Sequence, residues 1–266
     1  MTPAAHGTEA VREPEWVYQW ERCRDSAEFL LRDWLAPNSL ESFAGLRVLE
    51  GGCGGGDHTR RVAPHCRELV SVDLNTASLA AELVGPLDNV RFVSGDLATV
   101  GFDEPFDVVF SIGVVHHTDD PDATVANLKR LVRPGGRLIL WVYSREGNFL
   151  VRHLVERPRR LFLRHLPRPA VLGLSWALGA GITPLAHTLY RLPLSQLPYH
   201  AYMGNWRKMS LRRNVSNVFD KLNAPQTQFV SEARARRWAD DPDFDLVALS
   251  PYMGVSWRLT LRRKGG

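Results

Sequence analysis

Apolar residues near the start of the chain recur at spacings of three and four positions and define one face of a helix: Trp16, Trp20, Cys23, Ala27, Leu30, Leu31 and Trp34. The pattern predicts a single helix from Glu15 to Leu35, which Pro37 and Asn38 end. Residues 1–14 show no such period, so we expect an irregular tail there.

From Arg47 onward the pattern changes to short apolar runs that alternate with helical stretches. The predicted strands cover residues 47–50, 69–73, 90–93, 106–111 and 136–143, and the predicted helices cover 57–63, 76–84 and 122–132. This alternation favours right-handed βαβ units and a parallel sheet. The last two apolar runs, 244–249 and 255–263, are joined by residues 250–254 alone, which makes them antiparallel. The prediction is therefore an α/β fold: a doubly wound seven-stranded sheet, mostly parallel with an antiparallel last strand.

Residues 144–214 interrupt the alternation and are rich in Leu, Arg and Pro. We interpret residues 145–215 as an inserted helical cap over the carboxyl edge of the sheet, where such sheets bind their substrates. Polar-tipped aromatic and histidine side chains after Pro198 are the candidate substrate contacts: Tyr199, His200, Tyr202 and Trp206. The alternative is an ordinary amphipathic cap with solvated arginines.

Composition and charge limit the domain organisation and the partners expected of this fold. A chain of 266 residues suits one large α/β domain with an insertion. The net charge of +4 allows nucleic acid, phospholipid or an anionic small molecule as partner, or reflects an arginine-rich composition alone.

Cysteine usage and apolar runs bear on location. Three cysteines form no disulfide framework and no paired zinc site, so we expect a reduced, cytoplasmic protein without a metal. The start of the chain does not resemble a secretory signal. The longest apolar stretch, residues 170–189, is interrupted by glycines, Pro184 and His187, so no integral membrane contact is expected.

The strongest chemical signal is the run Val-Leu-Glu-Gly-Gly-Cys-Gly-Gly-Gly-Asp at positions 48–57, which follows a strand and opens a helix. Gly52, Gly54 and Gly56 lack a Cβ atom, so the backbone can turn tightly and approach a ligand. The carboxylate of Glu50, at the end of the strand, would receive a cationic group such as an ammonium and would repel a pyrophosphate. This favours S-adenosylmethionine (SAM) over NAD.

Two more carboxylates follow the next two strands. Asp73 can accept both hydroxyls of a ribose, and Asp96 is positioned to accept from an adenine amino group beside the apolar edge of Leu97. The alternative is that the glycines only make a turn and the acids only cap helices. Three such sites at the ends of three successive strands favour a ligand site.

Residues 46–143 resemble the class I SAM-dependent methyltransferases, in particular the bacterial small-molecule type related to the quinone-biosynthesis enzymes. Residues 50–56 fit their Glu/Asp-x-Gly-x-Gly-x-Gly motif, and the likeness continues at 71–74, 95–97, 106–113 and 131–136. The resemblance implies SAM as cofactor and S-adenosylhomocysteine (SAH) as product. It also implies that Glu50 or its backbone neighbours hold the methionine end, Asp73 the ribose and Asp96 the adenine. Further cofactor contacts are expected at Cys53, Leu74, Leu97, Ser111, Ile112 and Gly113.

A candidate base and a candidate lid complete this interpretation. Methyl transfer is an in-line displacement, so a base is needed only when the acceptor must lose a proton, and His116 and His117 after the fourth strand are the candidates. The alternative is that the pair only packs near the cofactor.

Related enzymes often close the site with an N-terminal helix, which suggests residues 1–40 as a lid with Tyr18 facing the substrate. Equally, the aromatic residues of this segment are simply the buried face of a helix.

We expect methyl transfer to oxygen, nitrogen or carbon of a small molecule, such as a secondary metabolite, a sugar or a lipid-like precursor. No nucleic-acid partner is expected, and a homodimer is allowed. Three alternatives stay open: RNA or protein methylation, a SAM-binding partner protein without catalysis, and an NAD-dependent dehydrogenase. The chain lacks the Asn-Pro-Pro-Tyr and Asp-Pro-Pro-Tyr motifs of enzymes that methylate flipped bases.

Overall fold

The structure is a computed structural model that describes residues 13–25 and 27–265. Its seven strands are β1 (Arg47–Gly51), β2 (Glu68–Asp73), β3 (Val90–Ser94), β4 (Phe106–Ile112), β5 (Val132–Tyr143), β6 (Phe244–Tyr252) and β7 (Ser256–Arg263). Its α-helices are α1 (Pro14–Arg22), α2 (Glu28–Leu35), α3 (Asp57–Val62), α4 (Ala77–Val84), α5 (Pro121–Arg130), α6 (Glu156–Leu161), α7 (Arg168–His187), α8 (His200–Trp206), α9 (Leu211–Asn223) and α10 (Glu232–Ala239). Most of the predicted N-terminal tail lies outside the described residues.

The strands form one sheet in the order β3-β2-β1-β4-β5-β7-β6. All neighbouring pairs are parallel except those of β7, which runs antiparallel to both β5 and β6. The predicted fold class is confirmed. The register sets Gly51 opposite Val72 and Asp73 opposite Ser94, so the carboxyl ends of β1, β2 and β3 meet at one edge.

Apolar side chains cover both faces of the sheet, which explains why its central strands are almost continuously hydrophobic. On one face Val125 and Leu128 of α5 and Trp238 of α10 join the strand residues in one buried cluster. On the other face α2 and α3 do the same, through Leu31 and Val62 among others. Helices on both faces make the sheet doubly wound.

The single N-terminal helix predicted from Glu15 to Leu35 is wrong, because the structure has two helices there, α1 and α2. Ala27 has extended backbone angles and begins α2. The interruption lets each helix pack on a different surface: Trp20 of α1 covers the glycine-rich turn at Gly54, and Trp34 of α2 stacks on Trp141 of the sheet with ring centres 4.6 Å apart.

The cap contains more helix than the apolar pattern predicts. The stretch after Pro198, which the sequence analysis singled out for its aromatic side chains, forms α8. A further amphipathic helix, α9, starts with its N-terminus capped by the Ser210 side chain and continues to Asn223, so the expected cap boundary at residue 215 falls inside it. α9 packs between α7 and α1. It thereby brings side chains from beyond the cap to the carboxyl edge of the sheet.

Candidate active site

One cavity of about 280 Å³ opens along the carboxyl edge of β1, β2, β3 and β4. Its walls come from the glycine-rich turn, the ends of the strands, α1, α2 and α9. The predicted cofactor residues that line it are Gly52, Cys53, Gly54, Asp73, Leu74, Asp96, Leu97, Ile112 and Gly113. Chain segments predicted separately to form a ligand site therefore meet in one place.

The glycine-rich turn needs glycine for two separate reasons. Gly52, Gly54 and Gly56 all have positive φ angles, of 87°, 54° and 77°, which side chains rarely adopt. A Cβ atom at Gly52 would lie 2.2 Å from Val114, and one at Gly54 would lie 2.6 Å from the Trp20 ring. Gly56 is not part of the cavity wall; it begins α3 and packs against Val84.

Asp73 joins the turn to the start of α4. Its Oδ2 accepts the Gly54 N–H at 3.0 Å, and its Oδ1 accepts the N–H groups of Asn75 and Thr76, both at 2.9 Å. Each carboxylate oxygen has two acceptor sites, so Oδ2 still has capacity for a ligand hydroxyl. The carboxylate is therefore held by three backbone N–H groups and lines the cavity.

Asp96 and Leu97 form the next part of the wall, with Ala98. The Asp96 Oδ1 accepts the Ala98 N–H at 2.9 Å. Among residues 13–25 and 27–265, no hydrogen bond reaches its Oδ2, which can accept from an amino group of a ligand. Ser111, in contrast, is buried away from the cavity and donates to the Gly51 carbonyl at 2.7 Å, so it supports the turn from beneath.

Glu50 is 1% exposed and is absent from the cavity wall. Its Oε2 accepts the hydroxyls of Thr59 at 2.5 Å and Ser71 at 2.8 Å. Burial raises the pKa of this carboxyl to about 7. Its Oε1 is buried without a partner in the described part of the chain. Direct contact with an ammonium group stays a prediction, and it would have to involve Oε1.

The two candidate bases have different environments. His116 is fully buried with its ring 4.2 Å from that of His117 and 4.2 Å from that of Tyr143, and burial lowers its pKa well below the usual range. It does not reach the cavity, so the expectation that it acts as a base is not supported; it packs behind His117. His117 does line the cavity.

The tautomer of His117 follows from the shorter of the two contacts at its Nδ1, since the other, to the Thr227 hydroxyl, is 3.5 Å long. Its Nδ1–H donates to the Gln226 carbonyl at 2.8 Å, which leaves a lone pair on Nε2. Burial lowers the pKa of the ring, against the opposing effect of the Asp220 carboxylate. His117 is therefore neutral near pH 7 and able to accept a proton.

Asp220 of α9 is a cavity residue that the sequence interpretation missed. Its Oδ2 accepts the Tyr143 hydroxyl at 2.8 Å and its Oδ1 accepts the Gln19 amide at 3.2 Å. Burial acts to raise its pKa, but His117, Lys221 and these donors more than offset this and hold it below the usual range. The amphipathic spacing of residues 215, 219 and 222 is the signal that could have revealed the helix.

The far end of the cavity is aromatic and carries unpaired donors. Trp34, Trp141 and Tyr143 line it together with Arg213 and His58. The ring nitrogens of both tryptophans and the Nε of Arg213 are buried without a partner among the described residues. Burial and the nearby arginines lower the pKa of His58 to about 4, so it is neutral. This chamber suits an apolar molecule that carries hydrogen-bond acceptors.

The five predicted substrate contacts lie outside the cavity wall: Tyr18, Tyr199, His200, Tyr202 and Trp206. A role for these residues in substrate binding stays a prediction; in the structure α8 packs within the cap. The Trp206 ring N–H donates to Thr183 of α7 at 3.1 Å, and Tyr18 packs on Phe219. Within residues 13–25 and 27–265, no group of three or more His, Cys, Asp and Glu is arranged to hold a metal ion.

Comparisons with known proteins agree with this geometry. A protein-family profile described as a methyltransferase domain matches residues 49–140. A ubiquinone biosynthesis O-methyltransferase from Pseudomonas fluorescens (strain SBW25) is 27% identical over 156 residues, which cover 53% of this chain and 66% of that protein. A tRNA U34 carboxymethyltransferase from Methylococcus capsulatus is 32% identical over 157 residues, which cover 54% of this chain and 46% of that protein.

Solved structures share the fold. The N-methyltransferase NodS from Bradyrhizobium japonicum WM9, in complex with SAH, superposes with a TM-score of 0.53 at 13% identity and covers 94% of this chain and 99% of its own. The matches to the curated relatives span at most about two thirds of those proteins. Because NodS is only 13% identical, its likeness to this chain bears on the fold alone.

A parallel sheet that ends in an antiparallel hairpin, with a glycine-rich turn and two carboxylates along one edge, defines the methyltransferase type of Rossmann-like fold. Residues 49–140 match a methyltransferase domain, as the resemblance predicts, and the relatives and solved structures that match the chain include methyltransferases. The cofactor that this resemblance implies is SAM. The residues present fit this cofactor: a Cβ atom at Gly52 or Gly54 would fill the cradle, and Asp96 and Glu50 each keep one oxygen without a partner among the described residues.

Proposed function

We propose that this protein transfers the methyl group of SAM to a small, largely apolar acceptor whose reacting group loses a proton. The observation that carries the proposal is the continuity of one cavity from Asp73 and Asp96 to the chamber at Trp34 and Trp141. The first end has carboxylates that can accept hydrogen bonds from an adenosine. The second end has aromatic walls and hydrogen-bond donors without a partner among the described residues. A methyl donor and a methyl acceptor bound at these two ends would share a single cavity.

The cofactor end is assigned residue by residue. Asp73 would accept from the ribose hydroxyls, Asp96 Oδ2 from the adenine amino group, and the backbone at Gly52 and Gly54 would approach the methionine end. When bound, SAM supplies an electrophilic methyl group on a sulfonium. The protein has only to hold this group in line with the acceptor atom.

His117 is the proposed proton acceptor. Its Nε2 lone pair is free of hydrogen bonds to described residues, and the Gln226 carbonyl fixes the ring orientation through Nδ1–H. The neighbouring Asp220 carboxylate favours the protonated ring that forms when the acceptor gives up its proton. General base catalysis of this kind contributes about 10²- to 10⁴-fold in rate.

α1 is proposed to exclude water from the site. Trp20 lies over Gly54 and Gly55, and the edge of the Trp16 ring contacts His117 with ring centres 5.0 Å apart. Gln19 of the same helix donates to Asp220. A helix that touches both the glycine-rich turn and the candidate base would have to move for substrates to enter, which is what a lid does.

The test is SAH release from SAM with a panel of acceptors: a lipid-soluble phenol, a carboxylic acid, an amine, and total RNA. We expect turnover with an apolar small molecule, and a loss of about 100-fold in kcat for His117→Gln. His153→Gln, an exposed histidine in the cap, is the matched control and should retain full activity. Methylation of RNA alone would support the alternative of an RNA methyltransferase, and SAM binding without turnover on any acceptor would support a non-catalytic partner protein.

A further inference from the structure

The cap carries an unusual amount of exposed apolar surface. Of the 18 large hydrophobic residues that are exposed in the described part of the chain, 13 lie in residues 149–194. Phe149, Leu154, Leu161 and Phe162 are each at least 59% exposed. So many exposed large apolar side chains within one segment of 46 residues indicate an interaction site. We call residues 149–194 the cap face.

α7 shows how this surface arises. Its inner side has small or short side chains that pack on α9: a Cβ atom at Gly179 would lie only 2.8 Å from Val215. The rest of its surface is mostly exposed: Trp176, Leu178 and Leu185, which flank the inner side, are 43%, 40% and 51% exposed. The helix continues through its glycines and Pro184, and it is long and apolar enough to cross a membrane. Only 22% of its most apolar 18 residues are buried in the protein.

The α7 helix is thus neither a core helix nor detached from the protein. A core helix would be mostly buried, whereas most of this one is exposed. A helix that spans a bilayer would have to leave α9, to which its inner side is closely fitted. An amphipathic position in the plane of a membrane surface satisfies both observations, because one side stays on the protein and the other enters the apolar layer.

The charges of the cap face point to an anionic surface. The segment contains seven arginines and a single acidic residue, Glu156. Arg157, Arg164 and Arg191 are exposed, and none of them forms an ion pair with a described residue. Basic residues beside exposed apolar side chains are the combination that binds anionic lipid headgroups.

We propose that the cap face binds the surface of a bilayer that contains anionic phospholipids, with α7 lying in the interface. A second copy of the chain fits less well, because a two-fold contact would bring the arginine-rich segment against itself. Nucleic acid fits less well because ten of the 13 exposed large hydrophobic side chains of the cap face are leucines, which offer bases no stacking surface. The proposal does not depend on the identity of the methyl acceptor.

The test is co-sedimentation of the full chain with vesicles of phosphatidylcholine alone or mixed with phosphatidylglycerol. We expect binding to the mixed vesicles and release by roughly 1 M NaCl, because the charges are screened. Affinity should be about a hundredfold weaker for Arg157→Gln with Arg164→Gln and Arg191→Gln. The control exchanges the exposed Arg130, Arg237 and Arg262 for Gln, and it should bind as the unaltered protein does.

A second pair of variants tests the apolar contribution. Trp176→Glu with Leu178→Glu should abolish binding, whereas Leu246→Glu with Val247→Glu, an exposed apolar pair on β6, should leave it unchanged. Retained SAH binding shows that each variant is folded. The proposal is overturned by equal binding to both kinds of vesicle, by no binding to either, by membrane association that resists alkaline extraction, or by a dimer in solution that Trp176→Glu dissociates.

Discussion

Asp73→Asn separates two roles of one carboxylate. Oδ1 accepts two backbone N–H groups and Oδ2 accepts one, from Gly54. An asparagine has one acceptor oxygen, and this oxygen should take the place of Oδ1, where it accepts two N–H groups. Its NH₂ group then faces Gly54 and the ribose. The NH₂ group can donate to one ribose hydroxyl, but the side chain can no longer accept from both hydroxyls.

The size of the effect follows from the bond that is lost. A hydrogen bond to a charged group contributes about 1.5–3 kcal/mol. Loss of one such bond to the ribose therefore weakens SAH binding by roughly 10- to 150-fold, since 1.4 kcal/mol is a factor of ten. The donor-to-donor contact with the Gly54 N–H also lowers the stability of the ligand-free protein, and this is measured separately by thermal unfolding.

The assay is calorimetric titration of both proteins with SAH and with an SAH analogue that lacks the ribose hydroxyls. We expect removal of the hydroxyls to weaken binding to the unaltered protein by a similar factor but to have little further effect on Asp73→Asn. Asp88→Asn, an exposed acid, is the control. If Asp73→Asn weakened SAH and the analogue equally, Asp73 would act only through the glycine-rich turn, and the ribose assignment would be wrong.

Three further predictions concern neighbouring groups. Gly52→Ala would place a Cβ atom against the Val114 side chain at a backbone φ of 87°, so its affinity for SAM should fall by more than about tenfold. Gly55→Ala, at an ordinary φ, is the control and should bind SAM with nearly normal affinity in calorimetry. Asp220→Asn removes the carboxylate that raises the pKa of His117, so the acid limb of the pH–rate profile, already below the usual histidine range, should move to lower pH; a limb that stays in place would contradict the pairing. Burial raises the pKa of Glu50 from 4.5 to about 7, so the stability that its proton adds is lost as the pH rises through that interval. Glu50→Gln should therefore make the free energy of unfolding, measured with denaturant, less dependent on pH between these values than it is in the unaltered protein.

The edge of the sheet could be predicted from the sequence because its determinants are local. Gly52, Asp73 and Asp96 each follow a strand that its own apolar run identifies, and parallel strands bring such positions together. The acceptor end could not be predicted in this way. Asp220 meets Tyr143 across 77 positions of the chain, and only the packing of α9 brings them into contact.

The interruption between α1 and α2 has the same physical cause. The apolar spacing continues through Cys23 and Ala27, so the local pattern predicts an unbroken helix. Tertiary contacts decide otherwise: Arg213 donates to the Asp25 carbonyl at 3.0 Å, and the Ser210 hydroxyl donates to the Asp25 carboxylate at 2.5 Å. Both partners belong to the α9 region, which the local pattern does not connect with the N-terminus.

The central claim is that the edge formed by Gly52, Asp73 and Asp96 binds the adenosyl group of SAM. A crystal structure of the protein with SAH tests it most directly. We expect electron density for the ribose within hydrogen-bonding distance of Asp73 and for the adenine beside Asp96 and Leu97. The sulfur should point toward His117 and the chamber at Trp34 and Trp141. Density for SAH at any other position, or failure of the protein to bind SAH at all, would contradict it.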